Sequence, residues 1–108
     1  MNRERSLEIV RSVFGSAIST MKIKGLTYAS DEDVLSNFKR TAEKLGLSSF
    51  QTLLVYMDKH LEALYGAVRK NPLSPSCEDG ELKDKIKDVI VYCALFLCLL
   101  EETDAEES

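Results

Sequence analysis

Two aspartates, Asp84 and Asp88, stand four residues apart in the stretch ELKDKIKD. On a helix that spacing turns both carboxylates to one face. Paired hard oxygen donors suit Mg²⁺, which keeps some of its waters and takes other ligands from substrate phosphates. The competing expectation is a solvated first turn, neutralised by Lys83, Lys85 and Lys87. Tyr92, one turn further on, continues the face with a ring that can stack on a ligand or hydrogen-bond to it.

His60 is the only histidine, and it shares a helical stripe with Leu53, Met57, Leu64 and Val68. A histidine on an apolar stripe is most simply a core residue satisfied by its neighbours. The alternative is ligand contact, with Lys59 beside it and Asp58 and Glu62 nearby. Lys59 projects about 100° away from His60, where it is either a surface lysine or a hand for a phosphate. A third group, Tyr28 and Asn37, belongs to KGLTYASDEDVLSNFKR, a mixture of glycine, tyrosine, acids and a basic pair ahead of a helix. Helix N-termini attract anions, but Asp31, Glu32 and Asp33 oppose that here and suit a cation or an exposed cap. No Walker-type glycine loop, GxGxxG, HExxH or nucleophile elbow is present, so covalent catalysis has no nucleophile with a paired base.

Four helices must position these groups. Leu7, Val10, Phe14, Ala17, Ile18 and Met21 recur at steps of three and four, predicting a helix over 6–21 that Lys22, Lys24 and Gly25 end. Ser30 is the expected N-cap of a second helix, which stops at Gly46. Ser48 and Gln51 form a capping box, with Leu47 placed as a hydrophobic staple, and open a third helix that ends at Asn71-Pro72. The linker NPLSPSCEDG holds both prolines, and a fourth helix covers roughly 81–101. The pattern contains no strand alternation and no repeat. It predicts an all-α four-helix bundle forming a single domain over 1–101, followed by an acidic, disordered tail over 102–108.

The fourth helix carries twelve consecutive apolar residues, Val89 to Leu100. That run is too short to span a bilayer, which takes about 20 residues, and too apolar for the surface of a monomer. Ile86, Val89, Ile90, Cys93 and Leu97 form one face, expected to pack on the chain's own helices. Asp84, Asp88, Val91, Tyr92, Leu95 and Leu99 form the other, expected to meet a second copy. The bundle is therefore predicted to be completed by homo-oligomerisation through the C-terminal helix.

Composition narrows the function. A 108-residue chain with 44% hydrophobic residues supports one core. A net charge of −4 argues against binding DNA or RNA duplexes, since there is no basic excess to displace counterions. The start MNRERSLEIV has no long apolar segment of a signal peptide. With no membrane span in the sequence, a cytoplasmic location is expected. Three cysteines, two of them in the apolar run, argue against a disulfide framework or zinc site as the organising device.

These motifs, in order, resemble small phage and bacterial proteins related to the MazG-like all-α nucleoside triphosphate pyrophosphohydrolases, including nucleotide-modification-associated proteins. The resemblance rests on Lys24, Tyr28, Ala29, Asp33, Leu35, Asn37 and Phe38, then on Lys59 and His60, then on Asp84, Asp88, Tyr92 and Leu95. It spans about residues 8–101 through short motifs. It implies a dimeric or tetrameric bundle with a nucleotide pocket between helices and acids holding Mg²⁺. Hydrolytic members carry ExxE and ExxD pairs on successive helices. Here the third helix has Asp58 and Glu62, Lys85 stands where a glutamate would precede Asp88, and Thr27 stands where an acid would precede Tyr28. The resemblance thus implies a degenerate pyrophosphohydrolase or a non-catalytic binder, which in a phage would sequester a nucleotide signal of host defence. A helical protein–protein interaction module without a nucleotide pocket, such as a phage inhibitor of a host protein, is the other expectation.

Overall fold

The computed structural model describes residues 1–28, 33–76 and 82–107, with residues 24–28 described by backbone alone. Among these residues the secondary structure is entirely helical: α1 (Arg3–Tyr28), α2 (Ser36–Leu45), α3 (Ser49–Lys70) and α4 (Leu82–Glu107). The all-α expectation holds. No helix among the described residues is long and apolar enough to cross a membrane.

Local chemistry sets most boundaries. The Asn2 side chain accepts the Arg5 N–H at 2.9 Å and starts α1. The helix then continues to Tyr28, beyond the stop expected at Lys22 to Gly25. A glycine inside a helix costs only about 1 kcal/mol relative to alanine, too little to force termination. Ser30, the expected cap of α2, lies outside the described residues. The turn into α2 is built by Asp33, whose side chain accepts the Leu35 N–H at 2.9 Å and whose carbonyl accepts the Ser36 N–H at 3.2 Å. At its far end Gly46 adopts φ +69°, and the Leu47 N–H reaches back to the Ala42 carbonyl at 3.0 Å. That is the left-handed stop for which glycine is suited. Ser48 and Gln51 close the capping box reciprocally, at 3.0 and 2.8 Å. α3 runs from there to Lys70, with the Asn71 N–H bonded to the Ala67 carbonyl.

The core lies where α2, α3 and α4 meet. Leu35, Leu53 and Leu99 are buried at its centre, with Phe38, Phe50, Tyr92, Leu95 and Phe96 packed around them. Phe50 and Phe96 meet with centroids 5.1 Å apart, joining the start of α3 to the middle of α4. α1 packs chiefly on α4, where small Ala17 is buried at the contact.

The assignment of α4's two faces must be reversed. Val91 and Leu99 are buried within the chain's own bundle, and Tyr92 and Leu95 join its core. Ile86, Cys93 and Leu97, expected inside, face outward. Both faces are apolar over most of their length, so periodicity alone could not rank them. What ranks them is the aromatic set, Tyr92 and Phe96, which finds ring partners on α2 and α3. The end of α4 also differs from the expected tail at 102–108, because the helix continues to Glu107. Glu102 bonds Lys39 of α2, and the Thr103 hydroxyl donates to the Leu99 carbonyl at 2.9 Å. These contacts carry the last turns.

Candidate functional site

The convergence of α2, α3 and α4 gathers one polar pair among aromatic rings. His60 Nδ1 lies 3.3 Å from Asp88 Oδ2, with side chains only 18% and 22% exposed. The two residues sit on facing helices, so the contact depends on the α3–α4 packing that Leu53 and Leu99 establish. The imidazole lies over Tyr92, with centroids 5.3 Å apart and planes 30° apart. Tyr92 in turn lies parallel to Tyr56, at 6.4 Å and 4°. Phe38 of α2 presents its edge to both tyrosines, at 5.6 Å and 6.0 Å.

The electrostatics follow from this enclosure. Burial first, then the Asp88 carboxylate and Tyr56, pushes the Tyr92 phenol above its ordinary value. Tyr92 is therefore a neutral hydroxyl throughout the physiological range, able to donate or accept. Asp88 offers a carboxylate, His60 an imidazole, and the three rings offer π-faces and edges. Tyr56 keeps 40% of its surface exposed, so the cluster opens to solvent on that side.

Of the residues singled out in the sequence, His60, Asp88 and Tyr92 are brought together. Asn37 is half-buried next to Phe38 on α2, and its side-chain oxygen accepts from Arg40. Asp84 stands one turn before Asp88, but it is well exposed and lies 3.9 Å from Lys87. Lys59 is exposed on the outer side of α3. The side chain of Tyr28 lies outside the described residues. Tyr56 was missed by sequence reasoning, although a signal existed: it precedes His60 by one helical turn and so shares its face.

As a metal site, the described residues contain no group of three or more His, Cys, Asp or Glu side chains that could hold an ion. Asp84 and Asp88 supply oxygen donors of the right hardness, but two carboxylates make only part of a Mg²⁺ shell. Phosphate oxygens and water would have to supply the rest.

A second polar cluster ties the ends of the bundle together. Lys39 bridges Asp33 at 2.8 Å and Glu102, joining the α2 entry turn to the last turns of α4. The Lys39 ammonium and the Leu35 N–H hold the Asp33 carboxyl below its ordinary range, against some desolvation. Lys39 is raised by its bonds to Asp33 and Glu102. The chain matches no protein-family model, and comparison with curated proteins and with solved structures likewise finds no match.

Proposed function

We propose that the chain binds a nucleotide at the patch formed by Phe38, Tyr56, His60, Asp88 and Tyr92. One observation carries the reading. Three helices deliver a shielded imidazole–carboxylate pair into a set of aromatic rings that is open along one edge. A flat heterocycle gains about 1–3 kcal/mol from stacking on an aromatic side chain. Polar groups inside the patch then discriminate among its ring nitrogens and exocyclic groups. In this reading Tyr56 and Tyr92 receive the base, and His60, held by Asp88, hydrogen-bonds to it or to the sugar. Asn37 and Lys59 border the ligand, Lys59 toward phosphate. Asp84, with Asp88, shares a Mg²⁺ ion with the phosphates. The order of short motifs that resembles the MazG-like group supports the same assignment. The role is binding and sequestration, in the manner of a protein that keeps this fold without the full set of metal-binding acids. The working form is a homo-oligomer joined through α4, whose uncharged outer flank needs cover.

A thermal-denaturation screen against nucleoside triphosphates and cyclic or modified nucleotides, with and without Mg²⁺, tests the proposal. Ligand at one hundred times Kd stabilises by about 2.7 kcal/mol, well above the sensitivity of the method. Tyr56→Ser, which removes a ring 40% exposed and packed on Phe38 and Tyr92, is expected to lower the unliganded melting temperature, keep the helical circular dichroism and lose the ligand response. Pyrophosphate release, with Asp88→Ala as control, separates binding from hydrolysis. If no member of the panel shifts the melting temperature, the site reading is abandoned. The exposed apolar residues of α1, Leu7, Val10, Phe14 and Ile18, would then favour the interaction-module reading.

A further inference from the structure

The outer flank of α4 has a composition and charge order that a second, oppositely directed α4 would complement. Ile86, Ile90, Cys93, Leu97 and Leu100 follow one another at steps of four, three, four and three. This is the 3.5-residue spacing of a helix–helix seam. Ile86, Leu97 and Leu100 are 41%, 57% and 41% exposed, and Cys93 is exposed as well. No charged residue interrupts the seam.

Surface area leaves room for such cover. The chain exposes 8092 Å², whereas a folded monomer of its 12.1 kDa mass should expose roughly 6,000 Å². Its radius of gyration is 16.0 Å, against about 13 Å for a compact domain of this length. The excess, about 2,000 Å² per chain and shared with exposed apolar residues of α1 and α3, is enough for the roughly 800 Å² that each partner buries in a standard interface.

Charge supplies the direction. α4 begins with Lys83, Lys85 and Lys87 and ends with Glu101, Glu102, Asp104, Glu106 and Glu107. That order opposes the helix dipole, which favours acids at the N-terminus and bases at the C-terminus. Its last turn holds no basic residue to offset them. Exposed Lys83 and Glu101 are 18 positions apart, five full turns, so both line the same edge of the seam. A parallel partner would set lysine against lysine and glutamate against glutamate. An antiparallel partner sets each lysine end against an acidic end.

We infer that two copies pair antiparallel through the Ile86–Leu100 seam of α4, about a two-fold axis near Cys93, with Lys83 of each copy facing Glu101 of the other. This deepens the reading of an oligomer joined through α4, and it is independent of nucleotide binding. The His60–Asp88 pair faces the opposite side of the helix, into the chain's own bundle, and so remains complete within one copy.

The full chain is tested in three steps. Light scattering is expected to give twice the 12.1 kDa chain mass; a single-chain mass overturns both the oligomer reading and this inference. Given a dimer, a short bis-maleimide should join copies that retain only Cys93 (Cys77→Ser, Cys98→Ser) and leave unjoined copies that retain only Cys98. Efficient joining through Cys98, or none through Cys93, overturns the seam while leaving the oligomer intact. Lys83→Glu and Glu101→Lys should each raise the dimer dissociation constant several-fold, and the double reversal should restore it. Single reversals without effect overturn the antiparallel direction. Leu97→Asp is expected to yield a helical monomer by circular dichroism, whereas Phe14→Asp should leave the dimer unchanged. The converse result would move the interface to α1.

Discussion

Truncating His60 and Asp88, singly and together, measures whether the organising contact of the site exists in solution. At 3.3 Å and an effective dielectric constant near 20, a charged pair attracts by roughly 5 kcal/mol before desolvation. Most of that is cancelled by bringing both groups out of water. Fully exposed pairs retain about 0.2–1 kcal/mol, while removing one partner of a buried pair costs about 3–5 kcal/mol. With about four-fifths of each side chain shielded, the pair lies between these limits, and a coupling of about 1–2 kcal/mol is expected. The assay is a double-mutant cycle of His60→Ala, Asp88→Ala and the double variant by urea denaturation. A coupling below about 0.3 kcal/mol would equal that of a weak surface pair. It would mean that α3 and α4 do not hold these side chains together, and the ligand reading would lose its polar centre.

Leu53 is fully buried at the centre of the core, so Leu53→Ala should destabilise by about 2–5 kcal/mol in chemical denaturation. At Gly46 an added Cβ meets no atom within 4 Å, yet φ is +69°; Gly46→Ala should therefore cost about 1–2 kcal/mol from backbone strain alone, seen as a lower denaturation midpoint. Ser48→Ala, which removes the Gln51 N–H acceptor, should cost about 1 kcal/mol by the same measurement. Lys39→Met should be less stable than the native chain near neutral pH, with a melting-temperature difference that vanishes at both extremes. Asp33 is held low, so its share is present above an ordinary aspartate value of about 4 and is lost as pH falls through its folded value. Lys39 is raised, so its share is present below about 10.4 and is lost as pH rises through its folded value. Both groups are more than a third exposed or close to it, which keeps the difference at the level of a surface network.

Several features were legible because they depend on neighbours in the chain. The Ser48–Gln51 box, the Gly46 stop and the end of α3 at Asn71-Pro72 all involve atoms within a few residues, and each lies where its signal stood. Boundaries that depend on distant contacts were less legible. α4 reaches Glu107 with Lys39 and Glu102 bonded across the bundle, a pairing of residues 63 positions apart that no local pattern encodes. His60, Asp88 and Tyr92 were each recognisable as residues capable of chemistry. Their union with Tyr56 and Phe38 was not, because those five side chains come from three helices.

The sequence alone determined that this chain is helical, because apolar side chains at steps of three and four can be buried together only on a helix. It also determined that the last helix is apolar on both flanks along Val89 to Leu100. Only the tertiary structure decided which flank of that helix faces inward. Two apolar flanks are hard to rank by transfer free energy alone, and what separates them is specific packing. Tyr92 finds Phe38, Tyr56 and His60, and Phe96 finds Phe50. That choice places Asp88 against His60 inside the chain and leaves Ile86, Cys93 and Leu97 outside it.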